Sequence, residues 1–146
     1  MSQEIDSQVS AELRREVSAV LETAATELDR SAGTGRFVPL VDLATVLEQV
    51  AWRCSGRLRG LCFVLGVLLK DIRNNLCGDL PWDEAVGETR AGFLQAAGPI
   101  LQGLAEQLRF EESNANWVVT LDCIGNLVEA YFNGLAELNS PGKGAR

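Results

Sequence analysis

Gly60-Leu61-Cys62-Phe63-Val64-Leu65-Gly66-Val67-Leu68-Leu69 carries no polar side chain, and its reading decides the fold. A helix that is apolar on every side must be surrounded, either by lipid or by other helices. Crossing a bilayer takes about 20 apolar residues. Here Arg57 and Arg59 on one flank and Lys70, Asp71 and Arg73 on the other cut the run far shorter. The segment is therefore expected to be the hydrophobic central helix of a soluble bundle.

Upstream, the same apolar seam can be traced back through Leu40, Leu43, Leu47, Val50 and Cys54, and downstream through Leu58, Leu61, Leu65, Leu68, Ile72 and Leu76. The spacing slips in mid-segment, where Cys54 is followed by a second step of four. Ser55-Gly56 lies at the slip, and both residues weaken a helix locally. Residues 40–76 form either one long kinked helix or two helices. At a rise of about 1.5 Å per residue an unbroken helix would reach roughly 55 Å, so a break or bend near Ser55 is expected.

Three further amphipathic helices surround this segment. Ile5, Val9, Leu13, Val17, Val20, Leu21, Ala24 and Leu28 recur at steps of three and four, predicting a helix from about Ser2 to Ser31 that ends at Gly33-Thr34-Gly35. Cys77-Gly78-Asp79-Leu80-Pro81 closes the central segment and opens a helix from about Trp82 to Arg109, with Asp83 and Glu84 in its first turn. Pro99 should kink or break that helix around Ala97-Gly98, because an interior proline loses one hydrogen bond and clashes with the preceding turn. In the last helix Trp117, Leu121, Ile124, Val128, Tyr131, Leu135 and Leu138 alternate steps of four and three, with Ser113 or Asn114 as N-cap and Ser140-Pro141-Gly142 as its end. No strand-like alternation or internal repeat stands out. The expected fold is all-α, a compact bundle of about five helices in a single domain over residues 1–141, with 142–146 as a disordered tail.

Composition narrows the function classes. With 146 residues, 47% of them hydrophobic, the chain can bury a substantial core. A net charge of −7 and a pI near 4.6 argue against nucleic acid as a partner, since phosphate backbones are held by clustered Lys and Arg. The polar, acidic start Met-Ser-Gln-Glu-Ile-Asp lacks the basic and apolar regions of a secretory signal, so the expected location is cytoplasmic.

Histidine is absent, which removes the usual ligand of haem and di-iron bundles and the usual base of serine hydrolases. The four cysteines, Cys54, Cys62, Cys77 and Cys123, form no Cys-x-x-Cys pair and read as small buried hydrophobes rather than metal ligands. Carboxylate pairs such as Glu12/Glu16 and Glu84/Glu88 read as solvated helix faces, and Asp122 as the edge of the last seam. No catalytic residue, metal or cofactor is expected.

The partner-binding candidates lie at the ends of the central segment. Arg53, Arg57, Arg59, Lys70 and Arg73 are opposed within 53–73 only by Asp71. They read either as a docking patch for an acidic partner or as the counter-charge of the acidic first helix. Trp52 and Trp82 join them as candidates because they flank helix breaks, although large aromatics in a small bundle are ordinarily core. The seam Trp117, Leu121, Ile124, Val128 and Tyr131 suits either the bundle interior or a homodimer.

The leading expectation is a non-enzymatic adaptor or regulatory protein that binds a partner protein. The second is a bundle in which Gly66, Gly98, Gly103 and Gly125 leave room for a small apolar molecule or lipid.

Overall fold

A computed structural model describes residues 2–34, 40–76, 84–110 and 113–138. Five helices pack into a compact all-α bundle: α1 (Ser2–Thr34), α2 (Leu40–Ala51), α3 (Gly56–Asn75), α4 (Glu84–Arg109) and α5 (Asn114–Leu138). No described helix is long and apolar enough to cross a membrane. Trp82, Cys77 through Pro81, and the tail 142–146 fall outside the described residues.

The interruption expected near Ser55 separates α2 from α3. Cys54 N–H bonds back to the Ala51 carbonyl at 3.0 Å, Ser55 is extended, and Gly56 takes φ +58°, a left-handed conformation that an L side chain adopts only with strain. The chain therefore folds back, and α2 lies antiparallel on α3, with Lys70 on Glu48 at 2.5 Å and Gly66 against Ala44. Arg59 secures the hairpin by donating from Nε to the Ala51 carbonyl at 3.1 Å and from Nη2 to the Trp52 carbonyl at 3.4 Å. Those are carbonyls that the end of α2 leaves without helical partners.

α1 packs most extensively on α4, antiparallel to it, and α4 packs in turn on α5. Leu13, Val17, Leu21, Ala24 and Leu28 of α1 meet Leu94, Ala97, Leu101, Leu104 and Leu108 of α4 in one core, which also takes in Leu65, Leu69 and Ile72 of α3. Of the kink or break expected at Pro99, the break is absent: α4 runs on through it. Pro99 and Gln95 both lie on the solvent side, so the carbonyl that the missing N–H would have satisfied can be hydrated. Opposite them, Gly98 lets α1 approach, with the Ala25 carbonyl 3.6 Å from where a Cβ would stand.

The apolar run of α3 is surrounded on its inner face only. Leu61, Cys62, Leu65, Gly66, Leu68 and Leu69 are buried, whereas Gly60, Val64 and Val67 face outward.

Candidate functional site

The basic residues of 53–73 do not converge on one patch. Arg53 pairs with Glu16 of α1 at 3.0 Å, Arg57 donates to Asn114 Oδ1 at 3.2 Å, Arg59 caps α2, and Lys70 pairs with Glu48. Arg73 lies near the far end of α3, several helical turns from Arg57. Most of the cluster is thus committed to holding helices together, and Arg53 does so against α1, the acidic helix expected to take the counter-charge. Trp52, a partner-binding candidate, is 71% exposed on the turn after α2, where its ring meets Phe63 edge-on at 5.3 Å. Trp82 is not among the described residues.

The last-helix seam divides. Trp117 and Tyr131 are buried, Ile124 and Val128 are half-buried, and Leu121 is 61% exposed. The inward face is instead carried by Trp117, Thr120, Leu127, Tyr131 and Gly134. Two close approaches hold this rotation. At Gly103 of α4, Cys123 Sγ lies 3.7 Å from where a Cβ would stand, and Gly134 lets Leu76 come within 3.3 Å of where a Cβ would be, with Phe93 beside it. Ser113 caps the helix through its hydroxyl, which accepts from the Asn116 N–H at 3.1 Å.

The N-terminus of α5 is the junction of four helices, and sequence reading missed its central residue. Arg14 of α1 is only 5% exposed and donates from Nη2 to the carbonyls of Gln107 (3.2 Å) and Phe110 (2.8 Å) at the C-terminal end of α4. A cation suits that position, where the helix dipole and unpaired carbonyls concentrate negative charge. Arg14 and Arg57 also stand 5.9 and 5.0 Å from the centroid of the Trp117 ring. One turn along α1, the buried Ser18 hydroxyl donates to the Ala105 carbonyl at 2.7 Å. The signal that could have found Arg14 is its place beside Leu13, on the apolar edge of an otherwise charged helix.

α3 and α5 run side by side in the same direction. Arg57 meets Asn114 near their starts, and Asn75 Nδ2 donates to the Tyr131 hydroxyl at 2.8 Å near their ends. Between these ties the two helices approach closely at few points. Counting seven residues from each starting tie places Val64 and Leu121 at the same level. Outward from the ties α3 presents Gly60, Val64 and Val67, and α5 presents Val118, Leu121, Gly125 and Phe132. The α5 residues fall at steps of three, four and seven, one continuous stripe. Phe132 is 60% exposed, and a Cβ at Gly125 would meet nothing within 4 Å.

The cysteines offer little chemistry. Cys54 and Cys62 are buried together at the α2–α3 turn, and Cys123 is half-buried at α4. Burial pushes the Cys62 thiol up to about 12, with the neighbouring Cys54 adding to the rise, and burial also raises Cys54 and Cys123. None of the three is poised as a thiolate at neutral pH.

Of the glycines expected to leave room for a ligand, Gly66 lies tight against α2, and Gly98 and Gly103 have α1 and α5 at ordinary contact distance. Ala25, Thr26, Gly98, Pro99 and Gln102 line an open cleft of about 230 Å³. That is below the roughly 300–1,000 Å³ usual for ligand pockets.

The fold and surface define a five-helix bundle with a packed interior and apolar outer faces. No protein-family model, curated protein or solved structure matches the chain.

Proposed function

We propose that this protein is a non-enzymatic interaction module, an adaptor or regulatory protein that binds a partner protein through the outer faces of α3 and α5. One observation carries the reading. A bundle whose core is already filled still holds Val64, Val67, Val118, Leu121 and Phe132 outward on two adjacent helices. Exposed apolar residues scattered singly are ordinary, but a stripe sustained over four turns of one helix marks an interaction surface. A cytoplasmic setting belongs to the same proposal and is supported by Cys54 and Cys62, which lie side by side as free thiols.

The test is a photoactivatable side chain placed at position 121 and, as control, at the exposed Glu106 of α4. Irradiation in the native cell is expected to yield a protein adduct from position 121 and none from 106. Equal adducts from both positions, or none from 121, would overturn the reading.

A further inference from the structure

The stripe on α5 carries a chemical signature of what lies on it. Asp122 and Glu129 are seven residues apart, so both sit on the same edge of the stripe, two turns from each other. Both are exposed, and neither is held in an ion pair with a described residue. α5 contains no basic residue along its whole length. On the facing helix, Asp71 is exposed at the level of Val128. The apolar strip of α5 is thus bordered by two carboxylates, Asp122 and Glu129, whose counter-charges are not supplied by their own helix.

Gly125 adds a second, independent feature. It lies in the middle of both the helix and the stripe, where glycine weakens a helix relative to alanine. Nothing in the bundle needs it to be small, because a Cβ there would meet open space. Gly66 and Gly134 have a tight neighbour that explains them, whereas Gly60, Gly92 and Gly125 have none, and of these three Gly125 leaves its notch within the α5 stripe.

We propose, building on the interaction reading above, that the occupant of this surface is a basic amphipathic helix of a partner protein. Its apolar residues, repeating at i, i+3/4 and i+7, lie along Val118, Leu121, Gly125 and Phe132, and its backbone approaches closest at the Gly125 notch. Lysine or arginine residues on its edge meet Asp122 and Glu129. The stripe from Val118 to Phe132 spans roughly 21 Å at about 1.5 Å per residue, the length of a helix of four turns. A second copy of this chain suits the surface poorly. Antiparallel self-pairing about Gly125 brings Asp122 within one residue's rise of the other copy's Glu129, acid against acid. An anionic membrane is opposed by the same carboxylates.

The probe is a synthetic peptide of about 18 residues, leucine at helical spacing with lysine on the flanks, labelled for fluorescence anisotropy. It is compared with a scrambled peptide of the same composition and with a version carrying glutamate on the flanks. The expected result is saturable binding of the first peptide alone, weakened about tenfold by Leu121→Ser and by Gly125→Trp. Asp122→Asn with Glu129→Gln should weaken it several-fold and flatten its salt dependence. Circular dichroism of each variant verifies that the bundle is intact.

Binding of the scrambled or acidic peptide as tightly as the first, or indifference to Leu121→Ser and Gly125→Trp, overturns the inference. So does sedimentation of the free protein as a dimer that Leu121→Ser dissociates, or binding to vesicles of anionic lipid that the same substitution abolishes. A failed peptide alongside a protein adduct from position 121 overturns the partner chemistry and leaves the interaction reading standing. Failure of both removes the reading itself.

Discussion

The α1–α4 contact and the α3–α5 contact are both made by amphipathic helices, yet the first is extensive and buries its apolar faces while the second is slight and leaves apolar residues outside. Between α1 and α4 the interface is antiparallel and closely packed apart from the open cleft beside Gly98, and the polar groups caught at its other end are satisfied: Arg14 and Ser18 reach α4 carbonyls. Between α3 and α5 the helices run parallel and are tied near their two ends, with Val64 and Leu121 left outside. The difference teaches that apolar content does not by itself place a residue in the core. α5 has apolar residues around most of its circumference, and the bundle uses one face of them.

Substitutions that treat the two contacts as equivalent should break the comparison most sharply. Leu101→Ala, in the α1–α4 interface, is expected to cost about 2–5 kcal/mol of stability in urea unfolding, because a fully buried leucine leaves both lost transfer energy and a cavity. If Leu101→Ala and Leu121→Ala cost the same, the contrast between the two contacts is wrong. Arg14→Met keeps the aliphatic stem but removes the donor to the Phe110 carbonyl and leaves the Gln107 carbonyl with the Phe110 N–H alone, and should cost about 1–3 kcal/mol by the same measurement.

Two glycines sharpen the comparison in opposite directions. Gly56→Ala forces an alanine to φ +58° and should destabilise by about 1–2 kcal/mol. Gly125→Ala, in a helical conformation with open space around it, should stabilise by about 0.5–1 kcal/mol. A loss of stability at Gly125 would mean that the bundle itself requires the notch. At the smallest end, Leu121→Ser should change stability by no more than about 0.5 kcal/mol, as for surface positions generally.

The α2–α3 hairpin carries a pH signature. Burial raises the Cys62 thiol from its ordinary 9.0 to about 12. The unfolded chain therefore releases this proton first as pH climbs. Its contribution to stability is complete below about pH 9 and is lost as pH rises from there toward 12. Urea midpoints measured across that range should fall less for Cys62→Ala than for the unsubstituted protein. In the folded state at pH 8, Cys62 should resist alkylation until the chain is unfolded.

Much of the helical framework could be read from the residues. The steps in α1 and α4 located their buried faces, and the slip at Ser55-Gly56 located the turn that makes α2 and α3 a hairpin. Of the kink or break expected at Pro99 the break is absent: on a solvent-facing turn the freed carbonyl can be hydrated and the helix goes on. α5 misled through its regularity. Its heptad pattern through Leu121 and Val128 is as regular as the face through Thr120 and Leu127, and only contact with Gly103, Leu76 and Phe93 selects between them. The basic residues looked like one cluster because they are neighbours in sequence, whereas a helical hairpin sends them to separate partners.

By itself, the sequence determined that this chain is helical, where its helices break, and which residue types its chemistry lacks. Those properties follow from local spacing, from glycine and serine conformational preferences, and from composition. Tertiary structure alone decided which face of α5 turns inward, that Arg14 closes the end of α4, and that α3 keeps an apolar face toward solvent. Each of these depends on close approach between residues far apart in the chain, and a helix with more apolar surface than one neighbour can cover leaves that choice to packing.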